Sequence, residues 1–145
     1  MAAAIAGAVA FTIVAAPTPA SAALPDGYRV ETSRDGDSLD MQIVDGAGRY
    51  IGWAEFNADP WGDTPGDAIR AHDISGDGLG VEAWLDIDPG SSFQADRIAS
   101  TRGHTSPYAT PWITGNIAEG TRVGLRICLV QGATIYCSGT QYTYA

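Results

Sequence analysis

Along most of the chain, apolar and polar residues alternate one by one. Clusters of Gly, Asp, Asn and Pro interrupt this pattern at intervals of roughly 8–12 positions. Period two marks a strand with one buried face, and such regular turn spacing marks a sandwich or barrel. The pattern predicts strands over 28–32, 39–44, 49–56, 67–73, 79–87, 96–101, 112–117, 121–130 and 134–143. It shows no convincing helical stripe; residues 91–102 are the one stretch that could form a short helix. The expected fold is therefore all-β. It is an antiparallel β-sandwich of about seven to nine strands, immunoglobulin-like in general form.

One strand shows its faces clearly. Leu79, Val81, Ala83, Leu85 and Ile87 share a side, while Glu82, Trp84 and Asp86 share the other. The first set is the expected core face. If 74–78 closes a symmetric hairpin, Arg70 should face Glu82 and Ile69 should face Ala83. Polar would then meet polar and apolar meet apolar.

Cys128 and Cys137 are the two cysteines of the chain. A two-residue turn at Gly132-Ala133, with Gly first, suits type II′. It pairs Gln131 with Thr134, Val130 with Ile135, Leu129 with Tyr136 and Cys128 with Cys137. The cysteines fall at a non-hydrogen-bonded position, where side chains lie closest. This geometry accepts a structural disulfide.

Before residue 23 the pattern changes. Residues 2–16 are almost wholly apolar and uncharged, Pro17 and Pro19 break the run, and Ala20-Ser21-Ala22 follows. This reads as a secretory signal peptide over residues 1–22. The apolar run, about 15 residues, is short of the ~20 needed to span a bilayer. No basic residue precedes it, so either the α-amino group of Met1 serves or the true start lies upstream. Cleavage would leave one exported domain over 23–145, in an extracellular setting that permits the disulfide. The protein is expected to be secreted, not integral to a membrane, and monomeric.

Charge narrows the partners. The chain has 8 basic residues, all arginine, against 17 acidic ones, for a net −9. Such a balance, without a basic cluster, argues against nucleic acid or an anionic membrane as partner.

Several short motifs recur together: Gly52-Trp53-Ala54-Glu55-Phe56, Gly66-Asp67-Ala68-Ile69, Asp73, Asp77-Gly78-Leu79-Gly80-Val81 and Glu119-Gly120-Thr121-Arg122-Val123, with Cys128 and Cys137. Together they resemble a pattern found in small secreted actinobacterial proteins. The resemblance covers roughly residues 48–137 and implies an exported, β-rich domain with one disulfide. Its motifs are turn and strand signatures, so it transfers no catalytic residue.

Candidate chemistry is sparse. Asp73, Ser75 and Asp77, followed by Gly78, resemble the opening of a calcium loop, but position 12 would be Trp84 where a bidentate Glu is required. Calcium is the one cofactor this motif suggests; none is otherwise implied. His72 lies on the outward face of its strand and His104 lies in a loop. Neither accompanies a nucleophile elbow. The aromatic residues offer more. Trp84 and Trp53 fall on faces read as outward, and Trp61 sits in a loop, so the three form a candidate ligand-binding set. The leading expectation is a non-catalytic extracellular binding protein, its ligand a polysaccharide or a protein. One alternative is a stand-alone carbohydrate-binding module using the exposed tryptophans. Another is a small hydrolase that works through Asp and Glu side chains.

Overall fold

A computed structural model describes residues 20–145, and these form two stacked, antiparallel-rich sheets with no helix among the described residues. The strands, in chain order, are β1 (Ala22–Ala23), β2 (Arg29–Asp35), β3 (Ser38–Val44), β4 (Tyr50–Asn57), β5 (Ala68–Asp73), β6 (Gly80–Ile87), β7 (Arg97–Ser100), β8 (Tyr108–Ala109), β9 (Arg122–Gln131), β10 (Thr134–Cys137) and β11 (Gln141–Tyr144). One sheet is a meander, β2-β3-β4-β5, with β8 on its edge. The other runs β7-β6-β9. Beyond β9, strands β10 and β11 share its free edge end to end, and β1 lies parallel to β10. Most of the signal-peptide reading lies outside the described residues.

The expected β-sandwich is present, with more strands than the pattern predicted. The last predicted strand is two, broken at Ser138–Thr140, where the Ser138 hydroxyl accepts the Ile127 N–H in place of a ladder carbonyl. Segment 112–117 is not a strand. It joins the ladder of the first sheet through an isolated bridge between Ile113 and Ile69. The candidate helix at 91–102 is a loop followed by β7.

The core follows from alternation. Leu39, Met41, Ile43, Ala54, Phe56, Ile69 and Ala71 point inward from the first sheet; Val81, Ala83, Leu85, Val123, Leu125, Ile127 and Leu129 point inward from the second. The expected core face of β6 is thus correct at its centre, with Leu79 and Ile87 half-buried at its ends. The expected β5–β6 hairpin is not. β5 pairs with β4 and β8, whereas β6 pairs with β7 and β9. Arg70 therefore faces Glu55, not Glu82. Residues 74–79 carry the chain from one sheet to the other. Matching apolar faces meet equally well across the core, so polarity could not separate stacking from pairing.

The β9–β10 hairpin matches the sequence reading at every pair: Gln131 with Thr134, Val130 with Ile135, Leu129 with Tyr136 and Cys128 with Cys137. Gly132 has φ 56° and Ala133 has no positive φ, which is what a turn with glycine in its first central position requires. The disulfide closes across Cα atoms 4.1 Å apart.

Gly52 shows how tightly β4, β5 and β6 meet. A Cβ there would stand 2.2 Å from the His72 carbonyl oxygen and 2.7 Å from a Val81 methyl. Neither neighbour is free to withdraw, since one is backbone and the other is in the core. Gly52→Ala should cost at least ~3 kcal/mol, the upper range for overpacking. Replacing both cysteines with alanine should cost about 2–3 kcal/mol in the chain-entropy view of a short loop. Urea unfolding of the oxidised protein and the two variants measures both; a midpoint unchanged by Gly52→Ala would contradict the close approach.

Candidate functional site

Polar side chains of the first sheet line its outer face in rows set by strand register. Asp40 on β3 faces Glu55 on β4, which faces Arg70 on β5. The next row is Gln42, Trp53 and His72. Glu55 is the centre of this surface. It accepts a hydrogen bond from Arg70 Nε, and Arg70 Nη2 reaches its other oxygen at 3.3 Å. His72 Nε2 lies 2.5 Å from Glu55 Oε2. The imidazole is in turn covered by Trp53, stacked at 4.1 Å between ring centroids.

Two further segments raise walls beside this row. In the first, Asn57 donates to the carbonyls of Asp59 and Pro65, at 2.6 and 2.7 Å. The Ser38 hydroxyl donates to Asn57 Oδ1 and accepts the Ala58 N–H. Trp61 and Thr64 exchange two backbone hydrogen bonds, 3.0 and 2.8 Å, around Gly62 at φ 55°. The result is a pinned loop carrying a tight hairpin, on which the Trp61 side chain is 79% exposed. In the second segment, Ile113 exchanges backbone hydrogen bonds with Ile69. That places the half-buried Trp112 beside Arg70, whose guanidinium carbon lies 4.4 Å from the ring centroid.

Between these walls is a groove of about 460 Å³, within the usual size of a small-ligand site. Asp35, Asp37, Asp40, Glu55 and Asp59 line it against the single cation Arg70. It therefore repels anions. The two central carboxyls are pushed apart. Burial and then the neighbouring Glu55 raise Asp40 above its ordinary value, outweighing Arg70 and His72. Burial pushes Glu55 up as well, but hydrogen bonds from His72 and Arg70 and their charge bring it below its ordinary value.

The three candidate tryptophans divide. Trp61 is exposed in the groove wall, and Trp53 is half-buried beyond the Glu55 row with one face taken by His72. Trp84 does lie on the outer side of β6, as its alternation implies, but it is only 1% exposed and carries no surface. Phe93, Ala95 and Ile98 cover it, together with the disulfide, Val130 and Ile135. Asp86 Oδ2 accepts the Gln94 N–H and Asp96 Oδ2 accepts the Ile87 N–H, which fastens the 88–96 loop above this face. The Trp84 indole N–H is satisfied by Glu82 Oε2 at 2.8 Å. Alternation identifies the side of a sheet and does not reveal a loop folded over it. Trp112 was missed because it sits in an irregular segment whose position depends on the Ile113 bridge.

In the calcium motif, two carboxylates bond their own backbone. Asp73 Oδ1 accepts the Ser75 N–H at 3.0 Å and Asp77 Oδ1 accepts the Leu79 N–H at 2.9 Å. These are ordinary turn bonds for aspartate. Among the described residues, no group of three or more His, Cys, Asp or Glu side chains is placed to hold a metal.

No protein-family model matches the chain, and no curated protein or solved structure matches it either.

Trp84→Ala should destabilise the domain by about 3–5 kcal/mol, as large core truncations do, while leaving the groove's surface unchanged. Asp40→Asn should raise the unfolding midpoint at pH 7. Its raised carboxyl costs stability once ionised, and the gain should vanish below pH 3.8, the ordinary Asp value, where folded and unfolded Asp40 are both protonated. Glu55 has the opposite sign. Its contribution is complete above its ordinary value of 4.5 and is lost as pH falls through the lowered one. Urea titrations of Trp84→Ala, Asp40→Asn and Glu55→Gln beside the unaltered protein, from pH 3 to pH 8, check all three signs.

Proposed function

We propose that the protein is a secreted extracellular binding protein that holds an uncharged polysaccharide in the groove above Asp40 and Glu55. The observation that carries this reading is Trp61. Its side chain is 79% exposed on a hairpin fastened by hydrogen bonds at both ends. An indole this exposed buries little apolar surface in the fold, and a rigid mount lowers the entropy lost when a ligand settles on it. A flat apolar ring beside carboxylates that accept hydroxyl hydrogen bonds suits a sugar, which has one apolar face and a polar edge. Trp112 offers a second ring within the same groove. Five acids against one arginine disfavour an anionic glycan or nucleic acid. The apolar N-terminal run and the disulfide support export.

Pull-down of the purified, oxidised protein on insoluble cellulose, chitin and bacterial cell wall tests this. Binding to at least one should survive high salt, since stacking is not screened. Trp61→Ala should weaken it about tenfold or more, from ~1.4 kcal/mol of lost stacking and burial. Retention by none of the three would remove the saccharide reading and turn the search to protein partners.

A further inference from the structure

A surface that only holds a sugar needs aromatic rings and hydrogen-bonding groups. The groove floor contains something more specific. Asp40 and Glu55 sit directly opposite each other on neighbouring antiparallel strands, both on the outer face and both half-buried. Residues so placed have Cβ atoms about 4.5–5.5 Å apart, so two carboxyls share one short span. Arg70 and His72 converge on the same one of them, Glu55. Asp40 has no hydrogen bond or ion pair from a side chain among the described residues. A purely structural ion pair would be complete with Arg70 and Glu55 alone. It would gain nothing from a second, uncompensated carboxyl beside them, and two like charges at this distance oppose each other.

We propose that the groove hydrolyses the glycosidic bond of the saccharide it holds, with Glu55 as nucleophile and Asp40 as general acid. This rests on the saccharide reading of the groove. The register places the two Cβ atoms about 5 Å apart, which lets the carboxyls reach the ~5–5.5 Å separation of double-displacement enzymes that retain anomeric configuration. In the first step a Glu55 carboxylate oxygen bonds to the anomeric carbon as the bond to the leaving sugar's oxygen breaks. Asp40 passes its proton to that departing oxygen. In the second step a water molecule gives a proton to the Asp40 carboxylate and attacks the anomeric carbon, which releases Glu55 as a carboxylate. Arg70 and His72 are positioning residues: they orient Glu55 and keep it ionised. The opposite displacements of the two carboxyls, up for Asp40 and down for Glu55, agree with these roles.

The experiment joins binding to turnover. The oxidised protein is offered β-1,4-linked oligomers of glucose, xylose and N-acetylglucosamine, two to six units long. Affinity is read by calorimetry and new reducing ends by product analysis. The proposal expects reducing ends from an oligomer that binds, released with retained configuration. Glu55→Gln should lower the rate to background. Asp40→Asn should lower it about 10²–10⁴-fold, the usual contribution of a general acid. Because Glu55→Gln could disturb the Arg70 and His72 contacts, Asp40→Asn is the informative variant should the first unfold. A bound oligomer that is never cleaved overturns the catalytic proposal and leaves the binding one standing. Cleavage unaffected by Asp40→Asn also overturns it. Failure to bind any oligomer removes the saccharide reading and the catalytic proposal with it.

Discussion

Successive side chains of each strand point to opposite faces of its sheet, and that restriction organises everything else. Two sheets with one apolar face apiece have a single economical arrangement, face to face. Leu39, Met41 and Phe56 on one side therefore meet Leu85, Leu125 and Ile127 on the other. The remaining side chains are forced outward in register. Rows such as Asp40-Glu55-Arg70 are the consequence: residues distant in sequence become neighbours because they share a parity and a ladder position. The groove is thus a by-product of core formation, completed by two loops that rise beside it.

This explains what was legible in the sequence. Local relations were readable. The Gly132-Ala133 turn determined the whole β9–β10 register, because in a tight hairpin one turn type leaves one pairing. The inward set of β6 was readable for the same reason. Relations between distant elements were not. Nothing in the polarity of β5 and β6 distinguishes a hairpin from two strands in opposite sheets. Trp84 lies on the side its parity indicates, and it is buried by the disulfide and by the following loop, which the carboxylates of Asp86 and Asp96 tie down. The groove was the least legible part. Trp61 is readable as a loop tryptophan, but its neighbours Trp112 and Arg70 come from segments that the chain brings in later.

The outer faces of the two sheets solve the same problem differently. On the second sheet the buried Glu82 is fully engaged, accepting from Ser100, Arg102 and Trp84, and a loop seals the surface. On the first sheet the corresponding centre, Glu55, receives Arg70 and His72 but is left open beneath a cleft. The disulfide lies on the sealed side, and the Asp40-Glu55-Arg70 row lies on the open one. A mutation that weakens the first side should therefore be separable from one that disables the second.

The packing of Trp84 against Cys128–Cys137 has an optical consequence. A disulfide in contact with an excited indole quenches its emission. The other three tryptophans, Trp53, Trp61 and Trp112, stand on the open face or at the groove. The steady fluorescence of the oxidised protein is therefore weighted toward the outer face of the first sheet, where a saccharide held as proposed would alter it.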